Sequence, residues 1–193
     1  MSTVKYNIKQ HIFAMLAKLD EEVFHVDDLE KLWNVRDKNT IHTTLKRYAQ
    51  QALLHRIYRG FYAIKPVDKI NPFLLGVKAM HRYSYISAET VLARHGIMQQ
   101  QVSAITLMSE ISKRFSIGNY HYYSRQLRDR FLFNPAGITE QNRIKFASVE
   151  RAVADMLYFN PRFHFDGAKF IRWKKVRQIQ KAVGYPLTPQ RYV

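Results

Sequence analysis

Residues 37–66 read DKNTIHTTLKRYAQQALLHRIYRGFYAIKP, and this stretch decides the fold. Ile41, Leu45, Tyr48, Ala49 and Ala52 recur at spacings of three and four, which lays one apolar stripe along a helix. At about 100° per residue the opposite face carries Arg36, Asn39, Thr43, Lys46, Arg47 and Gln50, with Thr40 and His42 on its margins. A corner at Leu53-Leu54 follows. Residues 55–64 then form a hairpin turning at Arg59-Gly60, where glycine supplies the positive φ that a tight turn needs and Tyr58, Phe61 and Tyr62 supply strand residues. This order predicts the recognition helix and wing of a winged helix-turn-helix.

The side chains on the polar face suit a duplex. Asn and Gln pair bidentately with adenine, and Arg and Lys with guanine or phosphate. Arg56, Tyr58 and Arg59 place two cations and a phenol at or near the hairpin tip, where phosphate or minor-groove contact is expected. Six Lys/Arg against one Asp give residues 37–66 a net +5, whereas residues 1–36 hold five against six. Positive charge therefore begins where the reading surface begins. The competing interpretation is a merely solvated helix face, and the hairpin behind it favours DNA.

Working back toward the N-terminus, Ile8, Ile12, Leu16 and Leu19 predict a core helix over 7–19. Residues 23–26 are a brief extended piece. Asp27, with Glu30 three residues on, predicts a capped short helix that turns Leu29, Leu32 and Trp33 inward. Asn34-Val35-Arg36 has the length of the turn in a helix-turn-helix, with Asp37, Asn39 and Thr40 as competing caps for the helix that follows. Pro66 closes the unit, so a DNA-binding domain is expected over 1–66, with a linker from Val67 to Pro72.

Composition agrees with a polyanionic partner. The 193 residues carry a net charge of +16, and neutralised phosphates would release counterions. The first ten residues lack a signal-peptide core and no apolar run approaches the ~18–20 residues of a membrane span, so a cytoplasmic protein without a membrane partner is expected. With no cysteine, disulfides, thiolate nucleophiles and Cys-based zinc sites are excluded. Eight scattered histidines without a His-Glu-x-x-His motif give no metal site, and no cofactor is expected.

The second half, 73–193, is expected to be an α+β domain. Helices are predicted at Phe73 to Met80, after Ser87, and from Ser148 to Phe159, and strands at 83–86, 105–108, 120–123 and 144–147. Gly96 suits a left-handed helix end. A last helix over 173–183 turns Trp173, Val176, Ile179 and Val183 inward. Residues 171–193 hold six Lys/Arg and no acid, a surface for DNA backbone, for an acidic partner, or simply for solvent.

Three segments then resemble one family: Arg59-Gly60-Phe61-Tyr62, residues 85–97 (YISAETVLARHGI) and residues 146–155 (FASVERAVAD). In order and spacing, over roughly residues 5–165, they are similar to the AbiEi-type antitoxins of bacterial type IV toxin–antitoxin systems. The resemblance implies an N-terminal winged helix that represses its own operon by binding operator DNA, a C-terminal antitoxin domain, and a nucleotidyltransferase toxin as counterpart. Ser148-Val149-Glu150-Arg151 stands where the family commonly has Ser-Pro-Glu-Lys, and the chain is shorter than the longer members. From the residues themselves, Ser87 and Gly96 are helix punctuation, Glu150 and Asp155 are caps or surface charges, and none is assigned catalysis.

The alternative is a Mg²⁺-dependent nuclease or other DNA-processing protein with a winged-helix module. It would need clustered carboxylates and a base. Glu110 and Lys113 are the nearest candidates, but their spacing of three puts them on opposite faces of a strand, and Asp129 or Asp155 would have to be brought in by the fold. The chain is therefore expected to be a regulator and not an enzyme.

Overall fold

The computed structural model describes residues 21–33 and 38–189, without the side chains of residues 30–33, 38 and 40. The helix expected over 7–19, the turn 34–36, the cap candidate Asp37 and the basic Arg191 lie outside the described residues. The chain is of mixed α+β class and divides into two compact units, residues 1–70 and 71–193.

In the first unit, β1 (Val23–His25) leads into α1 (Val26–Trp33), and α2 (Lys38–Gln50) precedes the hairpin β2 (His55–Tyr58) and β3 (Phe61–Ala63). The extended piece before α1 has a definite task. It pairs antiparallel with β3, so the sheet order is β1-β3-β2 and a two-stranded hairpin, marginal alone, gains a third strand. The Val26 amide donates to the Gly60 carbonyl (2.9 Å) and the Ile64 amide to the Glu22 carbonyl (3.0 Å), tying the start of α1 to the hairpin.

Helix α1 starts at Val26, one residue before the expected cap Asp27. The Asp28 carboxylate accepts the His25 backbone N–H (3.3 Å), the return half of a capping arrangement set two residues earlier than Asp27 and Glu30 suggest. Leu29, Ile41, Leu45, Tyr48, Leu54 and Tyr62 share one core with Phe24 and Val26. Thr44 is buried with them, and Ala49 packs at the margin.

Ala52, read as the end of the apolar stripe, lies instead beyond α2. It is exposed with φ 55°, in the left-handed turn that lets the Leu53 amide reach back to the Tyr48 carbonyl (3.0 Å). The expected linker is also structured. Val67–Lys69 form a 3-10 turn, Ile70 is buried, and Asn71 caps the next helix by accepting the Phe73 amide (2.9 Å).

The second unit is built on a six-stranded mixed sheet of order β6-β7-β5-β4-β9-β8. Its elements are α3 (Pro72–Met80), β4 (Ser84–Ile86), α4 (Ala88–Arg94), β5 (Ile105–Ser109), β6 (Lys113–Ile117), β7 (Tyr120–Gln126), α5 (Asp129–Leu132), β8 (Ile138–Gln141), β9 (Ile144–Ala147), α6 (Val149–Phe159) and α7 (Trp173–Val183). Strands β6 and β8, absent from the sequence expectation, are the two edges. An edge strand buries little, so its sequence stays polar and the alternating signal fades.

Eight consecutive residues of α6, Glu150 to Leu157, are buried, so this helix runs through the centre of the unit. Ser148 caps it, accepting the Arg151 amide (3.2 Å). Asp155, expected as a cap or surface charge, is neither. Its Oδ1 accepts from Arg151 Nε (2.9 Å) and Tyr185 Oη (2.8 Å), and its Oδ2 from Ser87 Oγ (2.7 Å) and Tyr85 Oη (3.1 Å). Ser87 therefore spends its hydroxyl on Asp155 and makes no side-chain cap for α4. Glu150, also buried, pairs with Arg172.

Candidate nucleic-acid interface

Helix α2 presents the two faces that its spacing requires. Ile41, Leu45 and Tyr48 are buried, while Asn39, His42, Thr43, Lys46, Arg47 and Gln50 are exposed. Thr40 lies on the helix, its side chain outside the described residues, and Arg36 lies outside them entirely. Six of the eight candidates before the hairpin thus share a solvent-facing surface one helix long. A 13-residue helix spans about 20 Å at ~1.5 Å per residue, enough to cross a major groove about 12 Å wide.

The hairpin adds a second polar edge. Strand β2 is one of the two outer strands of its sheet and alternates, so Arg56 and Tyr58 are exposed while His55 and Ile57 are half-buried. Its partner β3 is buried throughout. An irregularity in the pairing between Arg56 and Tyr58 brings Tyr58 opposite Phe61. Arg59 is exposed in the turn, and Gly60 has φ 82° with open space around its Cα, so conformation and not crowding selects glycine.

Rings support the hairpin base. His25 stacks on Phe61 (centroids 4.4 Å) and Tyr58 leans on the same ring (5.0 Å). Partial burial of its ring raises the Tyr58 pKa from a value already well above neutral, so the phenol is a hydrogen-bond donor at neutral pH. On the other side of the sheet Phe24 stacks on Tyr62 (6.1 Å). The arrangement can offer base-edge donors and acceptors from α2 and cationic or phenolic contacts from Arg56, Tyr58 and Arg59. The structure adds Gln51, exposed just past the helix, which the spacing argument did not include.

Two of the carboxylates that a nuclease would draw on are engaged within the second unit. Asp155 is fully buried and saturated with hydrogen bonds, and Glu110 is engaged with Arg82 (3.5 Å). Among the described residues no three His, Asp or Glu side chains group as metal ligands. No described helix is long and apolar enough to cross a membrane.

No family model matches the chain, and no curated protein does. The fold is similar to that of a solved structure, the RV2827C protein from Mycobacterium tuberculosis. The TM-score is 0.51 at 12% sequence identity, over 91% of this chain and 71% of that one. At that identity the likeness is one of fold alone.

Proposed function

We propose that the first unit is a winged helix-turn-helix and that the protein is a sequence-specific, double-stranded-DNA-binding transcriptional regulator. The observation that carries this reading is the exposed row Asn39, His42, Thr43, Lys46, Arg47 and Gln50 on a helix whose opposite face is sealed in the core, followed by a hairpin exposing Arg56, Tyr58 and Arg59. Helix α2 supplies base contacts and the hairpin supplies backbone contacts. Arg36 and Thr40 complete the set from the sequence.

The resemblance of residues 59–62, 85–97 and 146–155 to AbiEi-type antitoxins supports a narrower version. In it the protein is the cytoplasmic, autorepressing antitoxin of a type IV toxin–antitoxin operon, with its own operator as target and a nucleotidyltransferase toxin as counterpart. Footprinting on the DNA upstream of its own gene tests the regulator and its autorepression. A protected site that the Lys46→Glu/Arg47→Glu variant fails to protect supports the regulator. Protection unchanged by that variant, or no protection anywhere at low salt, overturns it.

A further inference from the structure

The second unit, which the DNA-reading surface does not include, holds most of the positive charge. Residues 71–193 carry 19 Lys/Arg against seven Asp/Glu, a net +12 of the chain's +16. Five of those seven acids are locked in ion pairs within the unit: Glu89 with Arg125, Glu110 with Arg82, Glu140 with Lys145, Glu150 with Arg172, and Asp155 with Arg151. Little negative charge is left to offset exposed cations such as Lys113, Arg114, Lys174 and Lys175.

Two adjoining cavities open beside the β6–β7 edge of the sheet, of about 580 and 320 Å³. They share Val102, Ser103, Ala104 and His121, so they form one groove rather than two separate sites. Both volumes fall within the range of about 300–1,000 Å³ that accepts small ligands or single moieties of larger ones. The loop along the groove is pinned at both ends. The Gln99 amide donates to Asp166 Oδ2 (2.9 Å) and the Thr106 amide to Thr90 Oγ1 (2.7 Å).

The walls combine cations with rings. Arg114 lies over the Tyr123 ring, 4.5 Å from its centroid, on neighbouring strands. Arg94, lining the other cavity, lies over Phe73 (4.9 Å). Such guanidinium planes present a flat outer face to a base and a charge to a phosphate. Gln100, Gln101 and Ser103 add uncharged hydrogen-bonding groups.

Glu89 lines the first cavity; its Oε1 contacts Arg125 (3.3 Å), and its Oε2 is shielded from solvent with no hydrogen-bonding partner in the protein. A carboxylate on the groove wall disfavours a phosphate beside it, so the backbone lies toward Arg94 and Arg114. Flat base faces are free to stack on guanidinium and aromatic groups only where the strand is single.

We propose that this groove binds single-stranded nucleic acid, with Arg94 and Arg114 on the backbone or stacked on bases. The groove belongs to the second unit, and the duplex-reading surface proposed for α2 to the first. The test is fluorescence anisotropy with the full chain at low salt, using labelled single strands of about 12 nucleotides, as DNA and as RNA, beside a duplex. Arg114→Glu is expected to weaken single-strand binding about tenfold while duplex affinity stays within about twofold. Lys46→Glu/Arg47→Glu is expected to do the reverse. The tighter of the two single strands identifies the sugar. Single-strand affinity that follows Lys46 and Arg47 and ignores Arg114, or no single-strand binding at all, overturns the proposal. A photo-crosslink from a thiouridine-bearing strand gives a readout independent of any variant. Adducts within 98–123 support the groove, and adducts confined to 38–60 overturn it.

Discussion

Arg151 and Asp155, one turn apart on α6, form an ion pair of 2.9 Å that is fully buried. The guanidinium satisfies itself completely, donating also to Tyr85 Oη (2.7 Å) and to the carbonyls of Phe131, Asn134 and Ala136. Burial by itself would lower the Arg151 pKa, but the Asp155 charge overrides it and holds the pKa above the usual arginine range. Burial first, and the Asp155 charge second, raises Tyr85 and Tyr185 so that both stay protonated as donors. Strand β4, helix α6, the loop after α5 and the segment after α7 all end on this pair.

Asp155→Asn should therefore cost about 3–5 kcal/mol of stability, because it leaves a buried guanidinium without its counter-charge. Tyr185→Phe, which removes one of four hydrogen bonds to the carboxylate, should cost about 1–2 kcal/mol. Urea unfolding of the two variants checks the order. Equal losses would mean that the charge of Asp155 contributes nothing beyond its hydrogen bonds.

Gly76 in α3 faces the buried Tyr122 ring, and an added Cβ would overlap it. The ring cannot step aside, since it stacks on Phe115 (4.8 Å) and its hydroxyl donates to the Pro72 carbonyl (2.9 Å). Gly76→Ala gains up to about 1 kcal/mol in helix propensity, but overpacking costs about 1–3 kcal/mol. A net loss of stability is expected in thermal melts, and a gain would show that α3 can shift away from the sheet.

Ala52 offers the opposite case. Its φ of 55° is a left-handed conformation that an L side chain resists, and its methyl is exposed, so nothing is lost by removing it. Ala52→Gly should stabilise the first unit by about 0.5–1 kcal/mol without touching the exposed face of α2. Hydrogen exchange of the α2 amides would register the change as slower opening.

What could be read from the sequence follows from how far apart the cooperating residues lie. The two faces of α2 and the turn at Arg59-Gly60 depend on neighbours within a few positions, so periodicity and turn chemistry expose them. Arg151 and Asp155 also stand four apart, yet opposite charges at that spacing on a helix ordinarily mark solvent. Their burial depends on Tyr85, Ser87 and Tyr185, which arrive from elsewhere in the chain. The groove at β6–β7 was hidden for the same reason. Glu89, Gln101 and Arg114 come from a helix, a loop and an edge strand whose polar sequence conceals it. The tail illustrates the mixture: Lys174 and Lys175 are exposed as its charge suggests, while Gln180 binds Thr188 (2.8 Å) and Tyr185 reaches the centre of the unit.

Duplex binding should be strongly salt-dependent. Log affinity is expected to fall by about 0.9 per neutralised phosphate for each unit of log salt. Lys46→Ala or Arg59→Ala should each reduce that slope by about one if the lost side chain contacts phosphate. An unchanged slope for Arg59→Ala would remove the hairpin turn from the backbone contacts.

The division of labour between α2 and the hairpin gives the last prediction. Gln50 is exposed at the end of α2 on the side away from Leu45 and Tyr48, and a bidentate contact from it should be worth about 1–3 kcal/mol at one base pair. Gln50→Ala should therefore weaken binding to the operator and spare a scrambled duplex. Arg59, exposed in the turn beside Gly60, should touch phosphate or groove wall, which carries little sequence information, so Arg59→Ala should weaken both duplexes by similar factors. Gel-shift titrations of the two variants against both duplexes separate the cases. Equal loss on both duplexes for Gln50→Ala would remove α2 from base reading, and no loss on either for Arg59→Ala would leave the hairpin with only its structural task of pairing β1.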